Sequence, residues 1–276
     1  MLYEPAALAA VEVRGAAPGG RELHLLAADS LVRRVNAILL TGGSALGLAA
    51  ADGVVEFLRA RGHGFPTSGG PIPIVPAAVI FDLANGEPIA PTALGGRAAC
   101  EAAADWSKLA RGSVGAGTGA TINKLFGPDD VLPGGLGFSS LSTQRGHVDV
   151  LVVVNASGTV KSGADPASKE SDRRTELLTA SPNRFSMGQS TTLVVVSIDA
   201  PCDHGLLQRG CIAAHDALAR QIRPCHTILD GDTVFAVALQ EGELTLSDRV
   251  SIPIAVELAT EAAVLDAVAH HSTATR

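Results

Sequence analysis

Residues 187–198 read Met-Gly-Gln-Ser-Thr-Thr-Leu-Val-Val-Val-Ser-Ile. The part from Thr191 to Ile198 is rich in β-branched side chains and has the length of a buried strand, so it predicts a strand that begins at Thr191. The preceding residues 161–189 form the most polar stretch of the chain, which predicts an exposed, mobile loop. The sequence therefore places a hydroxyl residue where a long polar loop meets a buried strand.

The position of Thr191 has a chemical consequence if the peptide bond before it breaks. The residue then carries a free α-amine beside its own hydroxyl. An α-amine has a pKa of about 7.7–8.0, so it can serve as general base for that hydroxyl near neutral pH without a histidine. An ordinary threonine-rich strand start has the same local sequence, and this segment alone leaves both interpretations open.

The remainder of the chain mixes predicted strands and helices. Such a mixture is typical of a layered α/β or α+β domain, and 276 residues with 46% hydrophobic side chains are enough for one sizeable core. We treat residues 1–276 as a single domain. The predicted strands are 35–40, 72–83, 147–155, 191–198 and 233–239, and the predicted helices are 45–58, 98–109, 205–222 and 252–269.

Composition excludes several classes of function. The net charge of -7, without a basic block, argues against nucleic acid and anionic membranes as partners. The first residues lack a basic region followed by a long apolar run, so we expect no signal peptide, and we expect no membrane span because no apolar run is long enough. The cysteines lack metal or disulfide spacing, which favours reduced thiols in a cytoplasmic protein; they are Cys100, Cys202, Cys211 and Cys225.

A glycine-rich run, Gly115-Ala116-Gly117-Thr118-Gly119-Ala120-Thr121, precedes Lys124. A phosphate-binding loop would need a lysine and a serine or threonine directly after the last glycine, and that pair is missing. The backbone N–H groups of Gly115 and Gly117 could instead face a developing oxyanion, with Lys124 supplying positive charge. A tight structural turn followed by a surface lysine remains the alternative.

Two carboxylates occur in the turn Asp230-Gly231-Asp232. Residues two apart on an extended chain point the same way, so this pair could orient an amine, take part in a proton relay or bind a metal. Metal binding is the weakest of these options because no histidine or cysteine lies at a metal-binding spacing. We expect no metal and no cofactor. The absence of a GxSxG segment also disfavours a Ser-His-Asp hydrolase.

Seven segments, taken together and in order, resemble one family. It contains the L-aminopeptidase/D-esterases, the β-peptidyl aminopeptidases and the endo-type nylon-oligomer hydrolases. The segments are residues 40–54, 74–83, 114–121, 153–158, 191–193, 214–216 and 230–235. The resemblance implies an α+β fold, a four-layer αββα sandwich of the N-terminal-nucleophile-hydrolase type, and a polypeptide that matures into chains 1–190 and 191–276.

The resemblance also implies roles for individual residues. By position, Thr191 would be the nucleophile and Ser190–Thr191 the scissile bond. Lys124 matches a catalytic lysine of the nylon-oligomer hydrolases, and Asn155 matches an asparagine that helps to hold the oxyanion. The paired acids Asp230 and Asp232 are similar to those of the same branch. We therefore expect an amide substrate and, as in relatives, a homo-oligomer of four or more chains.

Two departures from the family keep other functions open. The residue before the nucleophile is often Asn in the family, whereas here it is Ser190, and a tyrosine that assists there falls at Phe81. We expect Phe81 near the substrate, although it cannot donate a hydroxyl hydrogen bond. The alternatives are an aminopeptidase for N-terminal residues or β-peptides, an acyltransferase of the self-cleaving threonine type, and an unprocessed, non-catalytic relative.

Overall fold

A computed structural model describes residues 1–103, 108–161, 173, 175–180, 189–240 and 242–270. The α-helices are α1 (Ser44–Gly47), α2 (Ala50–Arg59), α3 (Ala93–Glu101), α4 (His204–Gln221) and α5 (Leu246–Ala269). The strands are β1 (Leu2–Val13), β2 (Gly20–Arg21), β3 (Arg34–Ala37), β4 (Leu39–Thr41), β5 (Ala77–Val79), β6 (Thr121–Ile122), β7 (Leu132–Pro133), β8 (Gly135–Thr143), β9 (Gly146–Asn155), β10 (Thr159–Val160), β11 (Thr191–Pro201), β12 (Ile222–Arg223) and β13 (Thr233–Gln240).

The largest sheet has six strands in the order β3-β1-β13-β11-β9-β8. Strand β11 lies inside it, parallel to β13 and antiparallel to β9. Its side chains alternate between two apolar layers: Val194 and Val196 join the cluster on the side of α4 and α5, and Leu193 and Val195 join the cluster on the opposite side. A strand that is buried on both faces reads as a continuous apolar run, which explains why this segment shows no polar alternation.

A second sheet, with the order β2-β5-β4, covers the other face of the large sheet. Ala78 of β5 packs inward in the same cluster as Leu193 and Val195. On the outer face, Leu39 of β4 packs with Phe57 of α2. The layers are therefore α4 and α5, the six-stranded sheet, the three-stranded sheet, and α2 with α3, which confirms the expected αββα sandwich.

Several predicted elements are confirmed. The predicted strands 147–155, 191–198 and 233–239 correspond to β9, β11 and β13, and the predicted helix 205–222 corresponds to α4. Asp203 caps α4, because its side chain accepts a hydrogen bond from the Leu206 N–H at 2.7 Å.

Other boundaries were wrong for identifiable reasons. The predicted strand 35–40 is divided at Ile38 between two sheets, because β3 pairs with β1 and β4 pairs with β5. Only Ala77–Val79 of the predicted strand 72–83 forms a strand, and the predicted helix 45–58 is divided into α1 and α2. The predicted helix 98–109 is observed as α3, whose first residue is Ala93; residues 104–107 lie outside the described residues.

The last helix begins earlier than predicted. The predicted helix was 252–269, but α5 begins at Leu246 and contains Pro253. A capping box sets the start, since the Thr245 hydroxyl accepts from the Asp248 N–H and the Asp248 carboxylate accepts from the Thr245 N–H. This pair supplies an N-terminal signal stronger than the apolar pattern that follows it.

Most of the segment 161–189, predicted as an exposed and mobile loop, lies outside the described residues. Within the described part of the chain, no helix is both long enough and apolar enough to cross a bilayer. All four cysteines are free thiols.

Candidate active site

Thr191 and Asn155 are brought together by the pairing of two strands. Thr191 is the first residue of β11 and lies opposite Asn155, the last residue of β9. In an antiparallel pair the end of one strand meets the start of the other. Both side chains are buried, with Thr191 only 4% exposed. The sheet register therefore fixes the position of the hydroxyl relative to the amide side chain.

The carbonyl group of Ser190 accepts two hydrogen bonds. The Thr191 hydroxyl donates to it at 2.6 Å, and the Gly231 N–H donates to it at 3.0 Å. Ser190 also forms a parallel bridge with Asp230, which holds the peptide plane against the turn before β13. The peptide bond between Ser190 and Thr191 therefore has a hydroxyl on one side and a polarising backbone donor directed at its oxygen.

Lys124 and Asn155 form a second group of contacts beside this bond. The Lys124 Nζ lies 2.7 Å from the Gln189 carbonyl oxygen, 2.7 Å from Asn155 Oδ1 and 3.0 Å from the Asn155 carbonyl oxygen. Asn155 Nδ2 donates to the carbonyl of Phe81 at 3.1 Å and to that of Gln189 at 3.4 Å. Two donors therefore converge on the Gln189 carbonyl.

The backbone before Lys124 explains how the lysine reaches this position. Asn123 adopts the left-handed conformation, with φ of 68°, which asparagine tolerates better than most residues. Its N–H donates to the carbonyl of Gly158, and the Leu125 N–H donates to that of Ser157. These bonds tie the short helix Lys124–Phe126 to the chain just after β9, so Lys124 points at the end of that strand.

The electrostatic environment of Lys124 is unusual for a lysine. Burial lowers its pKa to about 7, and the negative charges of Asp230, Asp232 and Asp82 only partly oppose this effect. The three carbonyl and amide acceptors match the three N–H donors of an ammonium group. Lys124 thus has hydrogen-bond partners that suit its protonated form. Because its pKa is about 7, it also releases that proton close to neutral pH.

Asp230 is held by the residues that surround the turn. Its Oδ2 accepts hydrogen bonds from the Thr227 hydroxyl at 2.6 Å, the Thr227 N–H at 2.8 Å and the Ser157 hydroxyl at 2.9 Å. Burial, followed by the charge of Asp232, raises the pKa of Asp230, and the Thr227 and Ser157 hydrogen bonds act in the opposite direction. Asp230 thereby shapes the turn that presents the Gly231 N–H.

Asp232 connects the same turn to β11 and to a histidine. Its Oδ1 accepts from the Thr192 N–H at 2.6 Å, and its Oδ2 lies 2.7 Å from His226 Nδ1. The two acids of the turn therefore have different partners, although both lie within the candidate site. From the sequence, both acids were placed in the site, but no role there was given to His226, Gly231, Ser157 or Thr227.

One group of side chains has the donor types of a metal site. Cys225, His226 and Asp232 offer ligand atoms within 4.8 Å of one another, a set that transition metals accept. The His226 ring and the Asp232 carboxylate are, however, directly hydrogen bonded, and the Cys225 Sγ lies 3.5 Å from Asp232 Oδ2. These hydrogen bonds account for the cluster as a polar network around Asp232.

A cavity of about 390 Å³ opens beside Ser190. The side chain of Lys124 lines it, as does Phe81, which was expected near the substrate. A volume of this size suits a small-molecule site, and its walls combine apolar and polar groups. The remaining lining residues are Asp82, Ala84, Asn85, Thr121, Leu125, Gly127, Pro128, Val131, Ser157, Gln189 and Leu229.

The glycines proposed as substrate contacts lie elsewhere. Gly115 borders a different cavity, and neither Gly115 nor Gly117 lines the cavity beside Ser190. Gly117 is buried, and a Cβ atom there would lie 2.5 Å from the Leu136 backbone nitrogen and 2.7 Å from the Gly112 carbonyl oxygen. The close approach of two backbone segments explains this glycine without a ligand.

Replacing Gly117 with alanine should therefore act on stability. We expect Gly117→Ala to lower the free energy of unfolding by about 1–3 kcal/mol, because the atoms in its way are backbone atoms that cannot move aside easily. Thermal and denaturant unfolding would measure the effect. Gly95→Ala is the control, since a Cβ atom at Gly95 meets nothing within 4 Å. A variant of normal stability with a raised KM would instead indicate a ligand contact.

Comparison with known proteins identifies relatives that match most of this chain and a smaller share of their own length. An uncharacterised aminopeptidase of Mycobacterium leprae is 41% identical over 276 residues, which cover 93% of this chain and 74% of that protein. A 6-aminohexanoate-oligomer endohydrolase of Paenarthrobacter ureafaciens is 29% identical over 221 residues, which cover 76% of this chain and 62% of that protein.

Solved structures support the fold. The L-aminopeptidase D-Ala-esterase/amidase of Ochrobactrum anthropi, described as a variant of the Ntn-hydrolase fold, superposes with a TM-score of 0.71 at 18% identity and covers 95% of this chain and 72% of that one. A β-aminopeptidase of a Burkholderia species gives a TM-score of 0.68 at 19% identity, with coverage of 95% and 73%. The model of peptidase family S58 matches residues 1–276. The chain therefore belongs to peptidase family S58 and is an amide-bond hydrolase of the aminopeptidase and amidase type.

Proposed function

We propose that this chain is a self-processing amidohydrolase that cuts itself between Ser190 and Thr191 and then uses the N-terminal Thr191 to hydrolyse amide bonds of short oligoamides or peptides. The observation that carries the proposal is the Ser190 carbonyl, which lies between the Thr191 hydroxyl at 2.6 Å and the Gly231 N–H at 3.0 Å. A nucleophile and an oxyanion donor therefore meet at one peptide bond.

In the first step, the Thr191 oxygen attacks the Ser190 carbonyl carbon. The nitrogen of Thr191 is still an amide and cannot accept the proton of the hydroxyl, so another group must accept it. Lys124 fits this role, directly or through one water molecule, because burial lowers its pKa to about 7. The Gly231 N–H stabilises the oxygen that becomes negative.

The C–N bond then breaks, and the nitrogen of Thr191 takes up the proton to become an α-amine. The product of this step is an ester between Ser190 and the Thr191 oxygen. Water hydrolyses the ester, which releases the Ser190 carboxylate and restores the Thr191 hydroxyl. Chains 1–190 and 191–276 are expected to remain one domain, because β11 stays paired with β9 and β13.

In the mature enzyme, the Thr191 hydroxyl attacks the substrate amide and its own α-amine accepts the proton. The Lys124 Nζ and the Asn155 Nδ2 both contact the Gln189 carbonyl in the uncut chain. Departure of Gln189 frees both donors for the oxyanion of the substrate, where each such donor is worth roughly 3 kcal/mol. Water then releases the acyl group from Thr191.

The cavity beside Ser190 is the proposed substrate site, with Phe81 on its wall. One named relative acts on 6-aminohexanoate oligomers, and short linear oligoamides suit a cavity of about 390 Å³. A homo-oligomer of four or more chains remains part of the proposal, on the resemblance to the family alone.

Trapping of the acyl-enzyme tests this function. The protein is mixed with a panel of short oligoamides, aminoacyl amides and β-peptides, quenched in acid, and analysed by mass spectrometry. We expect an acyl adduct on the fragment that begins at Thr191. Added amine acceptors distinguish a hydrolase, in which water remains the main acceptor, from a transferase. An uncut chain with neither adduct nor turnover would indicate a non-catalytic relative.

A further inference from the structure

His226 adopts a backbone conformation that needs an explanation. Its φ is 57°, in the left-handed region that costs an ordinary residue roughly 1–2 kcal/mol. Residues persist in such conformations when the surrounding contacts over-determine them. In this case the contacts are made by the imidazole ring, whose side chain is only 15% exposed.

Both ring nitrogens of His226 face hydrogen-bond acceptors. Nδ1 lies 2.7 Å from Asp232 Oδ2, and Nε2 lies 3.2 Å from the His215 carbonyl oxygen. A carboxylate and a carbonyl cannot donate, so these two partners favour a ring that is protonated on both nitrogens. Burial acts to lower the pKa of His226, but the hydrogen bond and charge of Asp232 outweigh it and raise that pKa overall.

The neighbouring histidine, His215, differs from His226 in its hydrogen-bond partners and in the direction of its pKa shift. The His215 ring packs edge-on against that of His226, with centroids 4.8 Å apart. Its Nε2 contacts the Glu12 carbonyl, and its buried Nδ1 has no partner in the described structure. Burial lowers the pKa of His215 to about 4, so this ring is neutral. His226 is therefore the member of the pair that binds a proton more readily, and Asp232 stabilises its protonated form.

Asp232 transmits this arrangement to the nucleophile. The ladder between β11 and β13 begins at Leu193 and Thr233, one residue after Thr192 and Asp232. Before the ladder begins, the Asp232 side chain supplies the acceptor that a strand backbone would otherwise provide: its Oδ1 accepts the Thr192 N–H at 2.6 Å. The bond orients the peptide that directly follows Thr191.

The hydrogen bond between Asp232 and the Thr192 N–H becomes more important once the chain is cut. The new chain end at Thr191 loses the contacts of Gln189 and Ser190, and free termini fray unless they are tied down. On the side of β13, the Asp232 carboxylate is then the contact nearest to the terminal residue. We propose that His226 is a positioning residue for the N-terminal nucleophile, which acts by holding Asp232 in place against Thr192; this inference rests on the proposed function of Thr191.

The test uses two variants of the full chain. His226→Gly keeps the left-handed backbone without strain and removes the ring, whereas asparagine in His226→Asn tolerates this conformation and keeps one donor near the position of Nδ1. Turnover is measured per mole of processed protein. We expect kcat to fall by about 10–100-fold in His226→Gly and by less in His226→Asn, with KM within about threefold, because misplacement of a reacting group by about 1 Å costs up to that factor.

Chemical rescue separates positioning from general structural support. Imidazole added to His226→Gly should restore most of the lost kcat in a saturable manner, and it should not affect the control variant His147→Asn, whose histidine is exposed. Equal kcat in wild type and both variants would overturn the proposal. Loss without rescue, together with a matching fall in the unfolding midpoint, would also overturn it. If His226→Gly does not fold, the kcat of His226→Asn decides.

The control Thr191→Val keeps the two proposals distinguishable. If Thr191→Val retains turnover, the proposed function fails. If Thr191→Val is inactive while both His226 variants match the wild type, only the positioning role of His226 fails.

Discussion

Replacement of Thr191 by valine is expected to abolish both self-cleavage and amide hydrolysis. Valine keeps the β-branched shape that fits the buried start of β11 but lacks the oxygen. Loss of a catalytic nucleophile lowers kcat by factors on the order of 10⁴ or more. Intact mass and turnover assays would show an uncut, inactive chain, whereas Thr191→Ser should retain measurable cleavage because it keeps a hydroxyl and an α-amine.

A matched control for this variant is available in the helix α5. Thr260 is fully buried, and its hydroxyl donates to the Val256 carbonyl within the same helix at 2.7 Å. Thr260→Val makes the same exchange of a hydroxyl for a methyl group at a site remote from the cavity. Processing and turnover should stay within about twofold of the wild type, because distant sites act independently. Turnover by Thr191→Val at the wild-type rate would remove Thr191 from the mechanism.

The second large effect concerns Lys124. Lys124→Met keeps the length of the side chain but removes the group that binds the Gln189 and Asn155 oxygens. We expect self-cleavage to slow by about 10²–10⁴-fold, the usual contribution of a general base. Conversion of purified precursor, followed by gel or mass analysis over time, measures this rate.

The pH dependence of self-cleavage tests whether Lys124 is the base that accepts the proton. Burial lowers the pKa of Lys124 to about 7, so the neutral amine that accepts a proton is abundant above pH 7 and scarce below it. The rate in the wild type should therefore rise with pH through about 7 and then level off. Lys124→Arg stays protonated over this range, and its rate should be low and flat. A wild-type rate without inflection would exclude Lys124 as the base.

Sequence patterns predicted those strands whose hydrophobicity and β propensity agree with their burial in the fold. The valine-rich runs of β9 and β11 are buried on both faces, so hydrophobicity and β propensity point to the same structure. In contrast, β1 contains Pro5 and four alanines, and β8 contains glycines and serines. Neither has strong β propensity, and their pairing within the large sheet decides their structure.

The same distinction holds for the candidate site. Thr191, Asn155, Asp230 and Asp232 could be named because they lie in segments that resemble a family, and Lys124 because it follows one of them. The structure brings these residues together. Two contributions have no local signature. The Gly231 donor is a backbone group, and the role of His226 depends on a left-handed backbone and on contacts between residues that only the fold brings together.

The identity of the N-terminal residue in active protein tests the central claim most directly. Free amines are labelled before digestion, and the labelled fraction of Thr191 is measured by mass spectrometry while turnover is followed in the same samples during maturation. We predict that activity rises in proportion to labelled Thr191. Full activity in samples whose Ser190–Thr191 bond is intact would contradict the account.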